Sequence, residues 1–129
     1  MPHHGDWRGA RVWEQAASAL QPPSCLPASP NGKSFTPLLT RPARGLETVT
    51  LKRAESDDAH VLRLREPTGR GGKRTLSFSS SALGASPRLL RCSLLEDERE
   101  EIPLRQSGES LIAELVVRPF EILTLKLRT

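Results

Sequence analysis

Residues 111–129 read LIAELVVRPFEILTLKLRT, two strand-like runs joined by an Arg-Pro pair at 118–119. In the second run Leu123, Leu125 and Leu127 alternate with polar residues, which is the two-residue period of a strand with one buried and one exposed face. The sequence ends one residue after this pattern, so we expect its last strand to be a core strand. Such an ending is typical of the last piece of a β-sandwich.

More strand-like segments lie upstream of this stretch at roughly even spacing. They are 46–53, 59–66, 73–79, 88–95 and 102–104. Polar residues at 55–58 (ESDD) predict a hairpin loop, and the glycines at 67–72 (PTGRGG) suit the positive φ of a second hairpin turn. Short strands spaced in this way predict a mostly β fold, an antiparallel β-sandwich.

The N-terminal third has a different pattern. Asp6 can cap a short helix at 7–20, whose apolar stripe is narrow and rich in alanine and therefore needs a partner surface. Residues 21–45 hold six of the eleven prolines and predict an extended connector with no element of its own. We therefore predict a short N-terminal helix segment at 1–22, a proline-rich connector at 23–45 and the β-sandwich at 46–129.

Charge and composition argue against several classes of partner. The net charge is +4, but the basic residues are spread along the chain and interrupted by an acidic run at 96–101 (EDEREE), which we interpret as a solvated loop. A nucleic-acid surface needs clustered positive charge, so we expect no nucleic-acid partner. No apolar run approaches the ~20 residues of a membrane span, and no signal-peptide pattern follows Met1. We expect a cytoplasmic protein with no membrane partner.

The residues that could carry chemistry are poorly placed for it. The HHGD cluster at 3–6 has its two histidines adjacent, whereas a zinc site needs three or four converging ligands, so we interpret it as a turn before a helix. Cys25 and Cys92 have no histidine near them in sequence to act as a base. The carboxylates at 96–101 are contiguous and do not flank a cleft. We predict no catalytic residue, metal ligand or cofactor on this chain.

The loop at 66–72 is a weak candidate for substrate binding. Its Glu66, Gly69 and Arg70 could reach a sugar or a neighbouring domain. The loop lacks the Gly-Lys-Ser/Thr ending of a phosphate-binding loop, so we do not interpret it as one. Sugar sites commonly use an exposed aromatic ring, and we expect Phe78 to be the only aromatic residue near this loop.

Three segments resemble the α-mannosidases of glycoside hydrolase family 38. Residues 2–8 (PHHGDWR) and the alanine-rich helix after them are similar to a proline-histidine-x-glycine-aspartate-tryptophan-arginine segment of that family. Residues 47–55 and 61–69 are similar to its paired strands and the loop that follows. Residues 115–125 (LVVRPFEILTL) resemble its closing motif, in which a proline-phenylalanine-glutamate turn leads into the last strand. The three segments occur in the family's order.

The resemblance implies a parent enzyme much larger than this chain. Family members are zinc-dependent retaining enzymes whose metal ligands and aspartate nucleophile lie in an N-terminal α/β domain, which has no counterpart among the matching segments. Zinc is thus implied for the full-length enzyme and not for this chain. The implied partners are the α-mannosidase catalytic domain, in cis or in trans, and a mannose-containing oligosaccharide. Within the strand and loop at 61–69, two positions depart from the family's pattern, since Arg65 often aligns with tyrosine and Thr68 with histidine. In the helix segment, Ser18 and Gln21 stand where the family commonly has tyrosine and asparagine.

Other functions stay open on the residues alone. One is a free-standing β-module that binds carbohydrate or another protein through the loop at 66–72. Another is a basic nucleic-acid binder, which the scattered arginines disfavour. Our prediction is the C-terminal structural portion of an α-mannosidase, inactive as an isolated chain.

Overall fold

The computed structural model describes residues 4–20, 24, 36–41 and 43–129. The chain divides into two compact units, residues 1–35 and residues 36–129. His3 of the HHGD cluster, the thiol of Cys25 and most of the proline-rich connector lie outside the described residues.

The first unit contains one helix, α1 (Val12–Leu20). The predicted start at residue 7 was wrong, because Arg11 has a positive φ of 52° and interrupts any right-handed helix before it. Asp6 caps a separate turn, in which its Oδ1 accepts a hydrogen bond of 2.6 Å from the amide of Gly9. None of the nine described residues of α1 is buried.

The second unit is an antiparallel β-sandwich, which confirms the predicted fold class. Its strands are β1 (Leu39–Arg41), β2 (Glu47–Arg53), β3 (His60–Arg65), β4 (Gly72–Ser79), β5 (Arg88–Cys92), β6 (Glu98–Ile102), β7 (Leu104–Ser107), β8 (Ser110–Val117) and β9 (Ile122–Arg128). One sheet has the order β1-β4-β8-β7 and the other has the order β2-β3-β9-β5-β6. The core lies between them and is built from alternate residues of each strand, among them Leu62, Leu64, Leu76, Phe78, Leu115, Leu123, Leu125 and Leu127.

The terminal strand lies at the centre of its sheet. β9 pairs with β3 on one side and with β5 on the other, so Leu125 has Leu62 and Arg91 as its neighbours. The prediction of a core strand is confirmed, but the prediction of one exposed face was wrong. Thr124 is 2% exposed and Lys126 is 3% exposed. The Lys126 Nζ lies 3.3 Å from an Asp57 oxygen and 3.7 Å from a Glu98 oxygen, and these acids make its burial possible.

The acidic run at 96–101 is solvated at 97–101, as predicted, but most of it is not a loop. Residues 98–101 belong to the edge strand β6, and Glu96 is buried at 8% exposure. The Glu96 Oε1 lies 2.7 Å from the Lys52 Nζ, and its Oε2 accepts a hydrogen bond of 2.9 Å from the amide of Glu55. Because basic side chains on neighbouring strands face these carboxylates, the run folds against the sheet.

Two predicted connections also differ from the structure. The connector contains β1, which pairs with β4 and adds a hydrogen bond of 3.1 Å from the Thr40 hydroxyl to the Ser77 carbonyl. The sandwich unit therefore starts at Thr36 and not at Leu46. The turn at 67–72 is not a hairpin, because β3 and β4 belong to different sheets. The predicted hairpin at 55–58 is confirmed by the pairing of Arg53 with His60.

No helix in the described part of the chain is long and apolar enough to span a membrane.

Candidate functional site

The carboxylate of Glu66 joins two turns at one end of the sandwich. Glu66 follows the last residue of β3 and has no exposed surface. It accepts hydrogen bonds from the Thr68 amide at 2.9 Å, from the Thr68 hydroxyl, and from the Gly69 amide at 2.7 Å. It also accepts one of 2.9 Å from the amide of Phe120, which lies 54 residues further along the chain. We call this set of bonds the Glu66 clamp.

The clamp determines the charge state of this carboxylate. Burial is the largest single influence and by itself would raise the pKa of Glu66, because a buried charge loses its hydration. The bonds from the Thr68 hydroxyl and from the three backbone amides all favour the ionised form, and together they lower the pKa of Glu66 to about 2. Glu66 is therefore a fixed negative charge at neutral pH and not a proton donor.

The second turn of the clamp is formed by residues 118–121. The Glu121 amide donates a hydrogen bond of 3.2 Å to the Arg118 carbonyl, and the Glu121 carboxylate accepts one of 2.7 Å from the Arg118 amide. Pro119 holds the second position and Phe120 the third, where φ is 59°. Proline followed by positive φ is the pattern of a type II turn, whose third position strongly favours glycine. Here a phenylalanine occupies it.

The two turns are in direct contact. Gly69 has a φ of 72°, and a Cβ added there would lie 2.5 Å from the Cζ of the Phe120 ring. A Cβ added at Gly71 would lie 2.7 Å from both the Pro119 Cδ and the Val117 carbonyl oxygen. Both glycines are thus required by the close approach of the loop to the Phe120 turn, and the two turns pack as one unit.

The structure gives the predicted site residues different roles. Glu66 is fully buried and Gly69 lies against the Phe120 ring, so both of them position the two turns. Arg70 is exposed, and its carbonyl oxygen accepts a hydrogen bond from the Arg74 guanidinium. Substrate binding by this loop stays a prediction.

The aromatic residue beside the loop is not the expected one. Phe78 is 1% exposed and lies in the core, whereas Phe120 is 61% exposed. The sequence contained the proline-phenylalanine-glutamate turn, but its contact with Gly69 joins segments more than fifty residues apart. Periodicity and spacing carry no information on such a contact.

The two positions at 61–69 that depart from the family's pattern have structural partners. The Thr68 hydroxyl belongs to the Glu66 clamp. The Arg65 guanidinium donates to the Glu47 carboxylate across β2 and β3, with its Nη2 at 2.5 Å and its Nε at 3.0 Å. Both substitutions are therefore accommodated within the sandwich.

A groove of about 490 Å³ lies where β5, the loop after it and the start of β9 meet. Its walls include Cys92 and the more exposed residues Leu94, Leu95 and Ile122. Burial is the main influence on Cys92 and raises the pKa of its thiol above the usual value, which disfavours the reactive thiolate. The groove is mixed in character, because charged side chains of Arg91, Asp97, Arg99 and Glu121 line it beside the exposed leucines.

Metal ligands do not come together in the part of the chain that the structure describes. Within it, no three His, Cys, Asp or Glu side chains are grouped closely enough to hold an ion. The charged clusters that do exist pair acids with bases, as around Lys126 and Glu96.

The class of protein that the fold defines is a two-sheet antiparallel β-sandwich domain, here with two clamped turns at one end and β9 at the centre of one sheet. A family model described as the glycosyl hydrolases family 38 C-terminal beta sandwich domain matches residues 46–125. The match extends from the residue before β2 into β9 and contains the whole Glu66 clamp. The chain belongs to this family through that C-terminal domain. A search of curated proteins found no match.

Proposed function

We propose that this chain is the C-terminal structural portion of an α-mannosidase and has no catalytic activity by itself. The observation that carries the proposal is the family match, which covers the sandwich and is specific to the family's C-terminal domain. The parent reaction would be hydrolysis of terminal α-mannosides by a retaining route through a covalent glycosyl-enzyme intermediate. We also propose a cytoplasmic location, supported by the free thiol of Cys92.

The proposed role is to pack against the catalytic domain and hold its cleft in shape. Large apolar side chains on the sandwich surface support it, since such residues mark contact surfaces when they cluster. Leu94 is 59% exposed, Leu95 is 86% exposed and Ile122 is 52% exposed, and all three line the same groove. The partner would be the catalytic domain, joined in cis or supplied by a separate chain.

The zinc of the full-length enzymes is not part of this chain's proposed role. The described residues supply no set of three converging ligands, and their acids are paired with lysine and arginine. We assign no step of the reaction to any residue of this chain.

The test combines this chain with a family 38 enzyme that lacks its own C-terminal sandwich. We expect the two to co-elute in size-exclusion chromatography and the truncated enzyme to gain thermal stability and aryl-mannosidase activity. A Leu95→Glu variant should weaken association. The matched variant Leu51→Glu should not, because Leu51 is also exposed, at 50%, but lies on β2 at the sheet edge away from the groove.

Two results would contradict the proposal. Zinc-dependent release of mannose from an aryl mannoside by the pure chain would show that it is catalytic. Failure of the two proteins to associate, with both of them folded, would remove the structural role.

A second candidate is a free-standing carbohydrate-binding module. The observation that favours it is Phe120, an aromatic side chain 61% exposed at the loop singled out from the sequence. Its test is the sugar titration described next.

A further inference from the structure

We propose that the ring of Phe120 is a stacking platform for a pyranose, with the loop at 66–72 as its support. The choice of a mannoside as ligand rests on the proposed function, whereas the platform itself rests on the geometry of the two turns. The proposal moves the ligand contact from Glu66 and Gly69, which are covered, to a residue that is displayed.

The first argument is the conformation of Phe120. Its φ of 59° follows Pro119, and glycine would adopt that turn position without strain. A bulky side chain in the left-handed region is uncommon, and such outliers persist only where surrounding structure enforces them. Here the Glu66 carboxylate enforces it through the Phe120 amide at 2.9 Å. Formation of the turn therefore does not explain why a phenylalanine occupies this position.

The second argument is that the ring is both fixed and accessible. Its tip rests against Gly69, yet the residue is 61% exposed. The loop beneath it is held from two directions, by the Glu66 carboxylate and by the Arg74 guanidinium, which donates to the Arg70 carbonyl. A fixed aromatic surface loses little conformational freedom when a ligand binds, which favours weak ligands such as single sugars.

The third argument is the chemistry around the ring. A pyranose has one face of C–H groups, which can lie on an aromatic ring, and a rim of hydroxyl groups that need polar partners. Arg70 directly follows Gly69, and Arg118 begins the turn that carries Phe120; both side chains are exposed. Each of the two turns that meet at the ring thus carries an arginine whose guanidinium group can donate to sugar hydroxyls.

A sugar fits these surroundings better than a protein partner does. Protein interfaces bury about 800 Å² on each side around an apolar centre. Besides Phe120, the two turns consist of glycine, proline, threonine, arginine and glutamate, so Phe120 is their one large apolar side chain. Several large exposed apolar side chains come together instead at the groove that Leu94, Leu95 and Ile122 line.

The experiment is an NMR titration of the full chain, labelled with ¹⁵N, with methyl α-D-mannopyranoside. We expect the amide signals of Gly69, Arg70 and Phe120 to shift together with a Kd on the order of millimolar. Saturation of aromatic protons should transfer to the C–H protons of the sugar ring. Galactoside at equal concentration shows whether any binding selects mannose.

Two variants and one control give the test its specificity. Phe120→Ala should weaken binding at least about tenfold, and Phe120→Trp should retain it, because tryptophan restores an aromatic face. The control Ile122→Ala removes a nearby exposed apolar side chain and should leave the Kd unchanged. Spectra of each variant without sugar confirm that it is folded.

Absence of shifts in the wild-type chain, or equal binding by folded Phe120→Ala, would overturn the proposal. Loss of association with the truncated enzyme in Phe120→Ala, without any sugar binding by the wild type, would also overturn it and assign the ring to a protein contact. Neither result contradicts the proposed structural role, which is tested separately by co-elution and by the Leu95→Glu variant.

Discussion

Glu66 shows how one buried carboxylate can join segments far apart in sequence. Burying an ionised group without partners is costly, and the four donors of the Glu66 clamp offset that cost. Three of the donors lie within three residues, and the fourth is the amide of Phe120. The three local donors thus hold the carboxylate in place. The distant donor joins the loop after β3 to the turn before β9.

We predict that Glu66→Gln lowers the free energy of unfolding by about 3 kcal/mol. The amide of glutamine would present N–H donors to the backbone N–H groups of Gly69 and Phe120, which would then lose their acceptor. Urea denaturation at neutral pH measures the change. The control Glu101→Gln breaks an exposed pair with Arg88 and should cost less than about 1 kcal/mol. Equal losses in the two variants would contradict the importance of the clamp.

The lowered pKa of Glu66 also predicts a dependence of stability on pH. The pKa falls from an ordinary value of 4.5 to about 2 in the folded chain, so its contribution is complete above pH 4.5 and lost as the pH falls to about 2. The loss is on the order of 3 kcal/mol. Urea titrations of wild type and Glu66→Gln across this range should converge at the acid end. Parallel curves would show that the carboxylate is not stabilised by folding.

Gly69 tests the contact between the two turns. We predict that Gly69→Ala costs about 2–4 kcal/mol, from the positive φ of 72° and from the overlap of its Cβ with the Phe120 ring. The double variant with Phe120→Ala should recover the overlap part and retain about 1 kcal/mol of backbone cost. A double-mutant cycle from thermal or urea unfolding measures this coupling. Strict additivity would mean that ring and glycine do not interact.

At this scale the sequence indicated one loop, whose role in substrate binding stays a prediction. Glu66, Gly69 and Arg70 were selected as one loop, and the structure does place them together. Their contact with Phe120 could not be predicted from the sequence, because it arises where the end of β3 lies beside the start of β9. The role of Phe120 as the exposed aromatic was missed for the same reason.

At the scale of single elements, β9 was predicted correctly in type and only half correctly in burial. The alternation of its leucines gave the strand and its core face. On the second face Lys126 pairs with Asp57 and Glu98, and Thr124 is buried between the paired strands β3 and β5. A lysine in a two-residue pattern indicates an exposed face unless its ion partners are known. The sequence likewise does not show that Glu96 pairs with Lys52 and Glu98 with Arg128, which is why the acidic run was interpreted as a loop.

The central position of β9 makes its leucines the most sensitive part of the core. We predict that Leu125→Ala, at 0% exposure, costs about 2–5 kcal/mol. Leu51→Ala is the matched control on the edge strand β2, where the side chain is 50% exposed, and should cost about 1 kcal/mol or less. Urea unfolding of both variants gives the comparison. Similar values would mean that the two sheets are not closely packed at Leu125.

At the scale of the whole molecule, the fold class and the family were both predicted from the sequence. The regular spacing of the strands predicted the sandwich. Three short motifs predicted the family, which the match over residues 46–125 shows. The boundary of the sandwich was missed because β1 has only three residues and lies among prolines. So short a strand has no period to detect, and its pairing with β4 is set by tertiary contacts.

The two units should differ in stability. None of the described residues of α1 is buried, whereas β9 lies between two paired strands with a covered surface on both faces. We predict that amide hydrogens of α1 exchange with solvent with little protection and that those of β9 exchange only on global unfolding. Hydrogen exchange followed by mass spectrometry or NMR measures both. Strong protection of α1 would show that the helix is part of the same cooperative structure.

The place of β9 between β3 and β5 has a consequence for synthesis. A ribosome makes the chain from its N-terminus, so β2 with β3, and β5 with β6, emerge as separate hairpins that share no partner. The five-stranded sheet cannot close until β9 has left the exit tunnel. A premature stop codon or a protease cut before Ile122 would therefore leave two unjoined hairpins with open edges, a form that quality-control proteases can distinguish from the finished chain.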